Sequence, residues 1–559
     1  MNYRGMHCYN RSILLAVLII PLTIYLYLQM RNGTLKKWTM PKPMSHNHSQ
    51  AQYTKNFQKP TRLPHATHSL ADTPRISAEE WESLLEMLKW PSPTIENPTP
   101  TEATDPRKCT LTVLNWKNNY TVGDYVNVSV VARNGRGVRK AYGGDFFQAK
   151  LYNTELKAST FGLVVDHGNG TYSVSFALLW PGSAHVSIRL IHSSEAVQVL
   201  SRHRERDPDK ISFTGYFEDG NIKENVVCNG MKSPRLVGDG SRCCCEYRDP
   251  RSGEVWFCRR PSSLPCSALV YHSLGMYQAQ LSTAESKILD RGNTNIVLPG
   301  SSPVINVFAH HTDIRETKKC VPGLNTPVPS GFFFKDHWTS LVCRSRTFSS
   351  SDVIRCLTGK QIHMRGDSTL RQWFEYLEKA VPSLKLLDLH APGRSGPLMM
   401  VDTESGILIT CRAHGLPLRT NKTPMADIHY IANEIDNLAG GEHMVIALDA
   451  WAHFSTYPLA YYMRRLAIIR RSVVSLLQRA PRTLVIIKSA NTGFKDVYTS
   501  DWLSWQLDCT LRAMFQGLPV VLIDTWQMTS CHYSPEDIHP TSIVIENEVN
   551  LFLSFICPQ

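Results

Sequence analysis

Between residues 105 and about 200, apolar and polar positions alternate with a period of two. Leu111-Thr-Val-Leu, Tyr125-Val-Asn-Val-Ser-Val-Val, Tyr172-Ser-Val-Ser-Phe-Ala-Leu and His185-Val-Ser-Ile-Arg-Leu all follow it, as strands with one buried face do. Asn134-Gly135, Gly143-Gly144 and Asn169-Gly170 punctuate the runs as turns. Six or seven short strands in about 95 residues is the size of an immunoglobulin-like β-sandwich. No catalytic constellation lies within it, so it reads as a binding or spacer domain. From residue 355 onwards the period changes. Strands over 361–364, 385–389, 444–448, 483–488 and 520–523 alternate with helices over 368–380, 459–479 and 502–516. That order predicts a parallel sheet with covering helices, an α/β domain.

Upstream, an apolar run from Ile13 to Leu28, reaching Met30 across Gln29, is just long enough to span a bilayer. Pro21 interrupts it, and Tyr25 and Tyr27 suit a membrane interface. No small-x-small cleavage site follows, so residues 12–30 read as an uncleaved signal-anchor transmembrane helix behind a cytosolic tail, 1–11. Cleavage of that signal would instead give a secreted protein. Glycosylation sequons at Asn47, Asn119, Asn127, Asn169 and Asn421 all follow the anchor; Asn32 also follows it, too near the membrane to be modified. The expected product is a single-pass membrane glycoprotein of the secretory pathway, its C-terminal region lumenal or extracellular, in the Golgi or at the cell surface. Residues 31–104 form a Pro/Thr-rich stem. One helical island interrupts it at 78–89, where Trp81, Leu84, Leu85 and Leu88 share a face suited to the neighbouring domain.

Composition fits this layout. The chain has 559 residues, 42% hydrophobic and 19% charged, enough for several cores. A net charge of +12 would admit nucleic acid, but the charge is spread and the compartment is lumenal, so that class is excluded. Fifteen cysteines exceed what a reducing cytosol favours, and setting Cys8 aside leaves an even number, which permits full pairing. Cys228, Cys243, Cys244, Cys245, Cys258 and Cys266 cluster in a Cys-rich segment and linker (216–330) after the sandwich (105–215). They lack CxxC spacing, so disulfides are expected and a metal site is not. No nucleotide-binding glycine loop or flavin motif is visible, so no bound cofactor is expected.

Candidate chemistry lies in the last domain (331–559). Its first strand ends in Arg365-Gly366-Asp367-Ser368, and a helix begins at once. Gly366 permits a sharp turn. Ser368 then sits at a helix N-terminus, where free N–H groups and the dipole favour an oxyanion. The bland alternative is an ordinary helix cap. Near the far end stands Glu536-Asp537-Ile538-His539-Pro540. A serine nucleophile needs a base, and the base needs a group to hold its tautomer. An acid three residues before a histidine lies on the same side of a helical turn.

Gly366-Asp367-Ser368 with a C-terminal acid-x-x-His539 resembles the PC-esterase group, relatives of the GDSL/SGNH hydrolases. Tyr142-Gly-Gly-Asp145, Asp166-His-Gly-Asn-Gly-Thr-Tyr172, Trp180-Pro-Gly182 and the cysteine cluster look like a neurexophilin domain. Together, over roughly 105–559, the chain is similar to the neurexophilin and PC-esterase domain-containing family. Trp451-x-His453-Phe454-Ser455 and the closing Phe552-Leu-Ser-Phe-Ile-Cys557-Pro558 match the family pattern as well. The resemblance implies a serine acyl esterase or O-acetyltransferase fold, with Ser368 as nucleophile and His539 as base. It departs at Glu536, where the motif has Asp. The extra methylene moves the carboxylate by about 1 Å, a displacement that can cost roughly 100-fold in rate. Gly366, Asp367, Trp451 and His453 are candidates for the oxyanion side and wall of the site; a packed aromatic and a structural histidine are the other reading of the last two. Two functions stay open: an enzyme acting on O-acylated glycans such as sialic acid, with acetyl-CoA as a substrate if it transfers, or an inactive binding protein. In the second, the neurexophilin-like domain meets a cell-surface partner and the esterase site has decayed.

Overall fold

The computed structural model describes residues 76–91, 98–207, 210–237, 243–278, 281–290, 292–300, 304–309, 318–391, 393–493 and 497–559. The expected tail, the anchor at 12–30 and the sequon at Asn47 lie outside the described residues. Among the described residues no helix is long and apolar enough to cross a membrane.

Helix α1 (Ala78–Met87) begins where Ser77 accepts the Glu80 N–H, with Glu79 and Glu80 in its first turn. Leu84 and Leu88 are buried. Trp90, just beyond, donates from Nε1 to the Gly144 carbonyl at 2.7 Å and meets Phe146 and Trp502 edge-on.

Seven strands follow: β1 (Thr110–Leu114), β2 (Tyr120–Thr121), β3 (Tyr125–Val131), β4 (Phe146–Asn153), β5 (Ala158–Asp166), β6 (Thr171–Ala177) and β7 (Gly182–His192). In β3, Val126, Val128 and Val130 are buried while Tyr125 and Asn127 are exposed. Strand β5 changes partner midway. Residues 158–162 pair with β4 and residues 163–166 with β6. A Cβ at Gly162 would lie 2.3 Å from the Phe176 ring, so glycine is required at the changeover. Asn119, Asn127 and Asn169 are all exposed on this domain.

After helix α2 (Ser194–Arg206) come β8 (Ile211–Asp219), β9 (Ile222–Asn229), β10 (Cys245–Arg248), β11 (Val255–Cys258) and β12 (Leu269–Tyr277). They form a second sheet in the order β10-β11-β9-β8-β12. All six clustered cysteines are bridged, as Cys228–Cys258, Cys245–Cys266 and the adjacent pair Cys243–Cys244. Strands β13 (Ile296–Val297), β14 (Ile305–Phe308), β15 (Gly331–Phe334) and β16 (His337–Ser340) return to the first sheet, whose order is β1-β3-β6-β5-β4-β7-β14-β2. The sandwich therefore takes strands from both sides of residue 330.

The C-terminal part runs α3 (Ser350–Leu357), β17 (Gln361–Gly366), α4 (Ser368–Ala380), β18 (Lys385–Leu387), β19 (Leu398–Asp402), β20 (Ile407–Ala413), β21 (Thr423–Pro424) and β22 (Met444–Leu448). It closes with α5 (Leu459–Arg479), β23 (Leu484–Lys488), α6 (Asp501–Phe515), β24 (Val521–Ile523), α7 (Thr525–Cys531) and α8 (Ser542–Ile556). The sheet order is β18-β19-β20-β17-β22-β23-β24, with β17 at the centre. From β20 to β24 the strands are parallel. The purely parallel sheet expected from the sequence is corrected at one edge, because β18 and β19 are antiparallel. Among the described residues no helix separates β18 from β19 or β19 from β20, and a parallel pair needs a crossover of a dozen residues or more. Strand β21 leaves this sheet and pairs with β12, placing Thr423 beside His272.

Two further bridges, Cys320–Cys343 and Cys356–Cys557, secure this part; the second ties α3 to the C-terminal end. The full pairing that an even cysteine count permits does not occur. Cys109, Cys411 and Cys531 are free and buried, and burial pushes each thiol up to about 12.

Candidate active site

Strand β17 is buried through its last five residues and delivers the chain directly into α4. Asp367 caps that helix. Its Oδ1 accepts the Thr369 N–H and hydroxyl, both at 2.8 Å, and its Oδ2 accepts the Ala452 N–H at 3.0 Å. Ser368 is thereby fixed as the first helical residue. The reason for Gly366 differs from the expected one. Its φ is not in the left-handed region. Instead, a Cβ there would lie 2.6 Å from the Asp449 carbonyl oxygen, so the close approach of β17 and the end of β22 demands glycine.

His539 reaches this turn from the loop between α7 and α8. Its Nε2 lies 2.7 Å from Ser368 Oγ, so the serine hydroxyl donates to it when the ring proton is on Nδ1. Ser368 is half-buried and His539 exposed. The loop is held from below: Asn491 Nδ2 donates to the Ile538 carbonyl at 2.9 Å, and the His539 N–H donates to Asp537 Oδ1 at 2.9 Å. Glu536 goes elsewhere. Its Oε1 lies 2.8 Å from Arg189 on β7, with the carboxylate almost fully buried. The structure brings Ser368 and His539 together and turns the expected triad acid toward the β-sandwich. Among the described residues no carboxylate oxygen is within hydrogen-bond distance of the His539 ring.

Beneath the serine lies a polar network that the motifs did not announce. Thr369 Oγ1 also lies 2.8 Å from Asp449 Oδ2. Lys488 Nζ, wholly buried at the end of β23, donates to Asn491 Oδ1 at 2.8 Å and lies 3.7 Å from Asp449. Burial, then the neighbouring Asp367, raises Asp449 well above the carboxylate range. Burial would raise Asp367 too, but His453, His414, the Thr369 N–H and Lys488 together hold it below the carboxylate range. The two carboxyls are pushed in opposite directions. Each of Asp449 and Lys488 stands at or just after the end of a buried apolar strand, a place where a lone charged residue is itself a signal.

His453 lines the site. Its Nδ1 is 2.9 Å from His414 Nε2 and 3.4 Å from the Arg419 N–H. Burial lowers His414 to about 4, and burial with the neighbouring His414 takes His453 well below its usual range. Trp451, the other candidate wall, is fully buried and does not line the cavity; it packs as a core aromatic.

A cavity of about 690 Å³ opens beside Ser368. Five cations line it: Arg371, Arg394, Arg412, Arg419 and Lys422. Arg371 is one helical turn from Ser368 and pairs with Glu375 at 3.0 Å. Strand β12 contributes Ser273 and Leu274, and exposed Asn421 stands on the same rim. Among the described residues no group of three or more His, Cys, Asp or Glu side chains is arranged to hold a metal.

Two family models match the chain. Residues 338–557 match the family model described as NXPE family member 4-like, C-terminal domain, and residues 76–285 match the Neurexophilin model. Among solved structures, a chain of the Escherichia coli adhesin FdeC is 12% identical over 37% of this chain and 65% of its own, with a TM-score of 0.13. That likeness is too slight to carry an argument. The two family matches show that the chain belongs to the neurexophilin and PC-esterase domain-containing family.

Proposed function

We propose that the chain is a serine acyl esterase or O-acetyltransferase of SGNH type, acting on acidic glycans such as sialoglycans. The observation that carries this reading is Ser368 Oγ at 2.7 Å from His539 Nε2 on the rim of a cation-lined cavity. His539 takes the Ser368 proton as Oγ attacks the acyl carbonyl, forming the Oγ–carbon bond. The negative charge on the carbonyl oxygen is met by the N-terminus of α4, with Arg371 one turn away. His453 is a further donor there: its Nδ1 faces the Arg419 N–H, which leaves the ring proton on Nε2. Collapse breaks the bond to the leaving group, which receives the proton from His539. Water or a sugar hydroxyl then attacks the acyl-enzyme, and His539 again carries the proton. Hydrolase and transferase differ only in that second nucleophile. Arg394, Arg419 and Lys422 suit the carboxylate or phosphate of an anionic substrate.

The same reading places the chain in the secretory pathway, anchored by residues 12–30. Five described disulfides and the exposed sequons at Asn119, Asn127, Asn169 and Asn421 support it. Endoglycosidase treatment should shift the mobility of the expressed protein, and an unchanged band would contradict that placement. A second reading, a binding protein whose sandwich meets a cell-surface partner, is favoured by the Glu536 carboxylate lying on Arg189. The deciding assay is acetyl release from, or transfer to, a sialoglycan by the full chain. Turnover lost in Ser368→Ala supports the enzyme; no turnover on any acylated glycan by well-folded protein supports the binding protein.

A further inference from the structure

Polar residues on one side of the sandwich sheet are buried, although no partner for them is legible in the sequence. Gln148 and Lys150 alternate along β4 with Phe147, Ala149 and Leu151, which face the sandwich core. Gln148 pairs across the ladder with Arg189 of β7. These side chains meet the two segments that bracket the His539 loop. Lys150 Nζ donates to the His532 carbonyl at 2.6 Å, where that loop begins. Gln148 Nε2 donates to Asp501 Oδ2 at 3.2 Å, and Asp501 Oδ1 accepts the Gly493 N–H at 2.8 Å. Gly493 in turn presses on the loop, since a Cβ there would lie 2.3 Å from the Asp537 backbone. Arg189 completes the set with its ion pair to Glu536, three residues before His539. Asn295 steadies the guanidinium, accepting from the same Nη1 at 3.2 Å.

We infer that Arg189 is a positioning residue, through which the β-sandwich holds the His539 loop in register with Ser368. It touches no reacting atom. The inference rests on the Ser368–His539 reading for its catalytic consequence, while its structural content stands apart. The ion pair is the contact through which β7 reaches the chain three residues before the base, so breaking it releases that hold on the His539 segment. The family's acidic position, which in this chain does not reach the base, here serves as the anchor for a clamp between domains.

The experiment uses the full chain in five forms: wild type, Arg189→Met, Arg189→Lys, Glu536→Gln and the Arg189→Met/Glu536→Gln double variant. Two quantities are read, the rate of Ser368 modification by a fluorophosphonate and the amide exchange of the peptide spanning 532–541. Arg189→Met should slow the maximal modification rate by about 10- to 100-fold, the range expected for a base displaced by up to about 1 Å, with half-saturation by the probe unchanged. Exchange in 532–541 should rise while exchange within α4 does not. Arg189→Lys should recover part of the rate, and the double variant should be no slower than either single one, because all three break one clamp. Modification unchanged in Arg189→Met but lost in Glu536→Gln would overturn the inference, since Glu536 would then act on His539 without the sandwich. If wild type is not modified at all, the catalytic reading fails and exchange alone decides: faster exchange of 532–541 in Arg189→Met supports the clamp, and unchanged exchange overturns it.

Discussion

Two of the buried clusters of ionisable groups differ in setting, one enclosed in the sandwich and one beneath the cavity of the α/β domain. In the sandwich, Lys140 pairs with Glu195, Tyr142 donates to Glu195 at 2.6 Å, and Asp145 accepts from Thr104, Tyr172 and the Ser194 N–H. Donors and acceptors there face one another, closed off from solvent. In the α/β domain, Asp367, Thr369, Asp449 and Lys488 form a comparable network. It differs in what stands above it: a serine hydroxyl, an exposed imidazole and a cavity of about 690 Å³. Buried charge alone does not mark a site, since a structural network shifts pKa values equally well. The two clusters are also placed differently: Lys140, Tyr142 and Asp145 lie in the loop before β4 and Glu195 in α2. Strand β22 is buried at all five positions, so the first polar residue after it, Asp449, emerges at the sheet's carboxyl edge beside Gly366.

The largest expected effect separates the two clusters by activity. His539→Ala should lower acyl turnover by about 10⁴-fold or more, by analogy with loss of a catalytic-triad member, while leaving the thermal midpoint near that of wild type. Lys140→Met should do the reverse. It leaves Glu195 buried without its cation, a change that typically costs about 3–5 kcal/mol, so the melting temperature should fall clearly while any protein that remains folded turns over normally. Turnover lost in Lys140→Met at a temperature where the protein is folded would break the comparison.

A pH experiment sharpens it. Burial, then the nearby Glu195 charge, raises Asp145 to about 6 from an ordinary 3.8. Its folded form therefore binds a proton more readily than its unfolded form between about pH 4 and pH 6. The stability this group contributes is fully present below about pH 4 and is lost as pH rises through about 6, on the order of 3 kcal/mol. Asp145→Asn should flatten that part of the stability profile, read by denaturant midpoints across the window, and a slope unchanged from wild type would contradict the assignment. The smallest effect belongs to the cavity. Arg394→Ala should raise KM for an acidic glycan about tenfold, as expected for one charged hydrogen bond of roughly 1.5 kcal/mol, with kcat kept. The same change against a neutral acyl ester should do little.

What was legible in the sequence follows the length and regularity of each element. Helices α4 and α5 begin and end where their 3.6-residue periods do, and β22 is found as an unbroken apolar run. Strands β19 and β20 escaped, because residues 398–413 have no helix between them to mark a crossover. Gly-Asp-Ser and the C-terminal histidine put two site residues on the page from sequence alone. Arg189 could not be found that way: its partner Glu536 is remote in the chain, and an Arg on an outward position of a sandwich strand looks like an ordinary wet face. The three free thiols are equally silent, since parity counts cysteines without knowing which cores enclose them.

The central claim is that Ser368 is a working nucleophile activated by His539. A fluorophosphonate probe applied to the full chain tests it most directly, because it needs no knowledge of the natural acyl group. The account predicts covalent labelling of wild type on Ser368, absent in Ser368→Ala and nearly absent in His539→Ala. Wild type left unlabelled under conditions where it is folded, or labelled equally in Ser368→Ala, would contradict it.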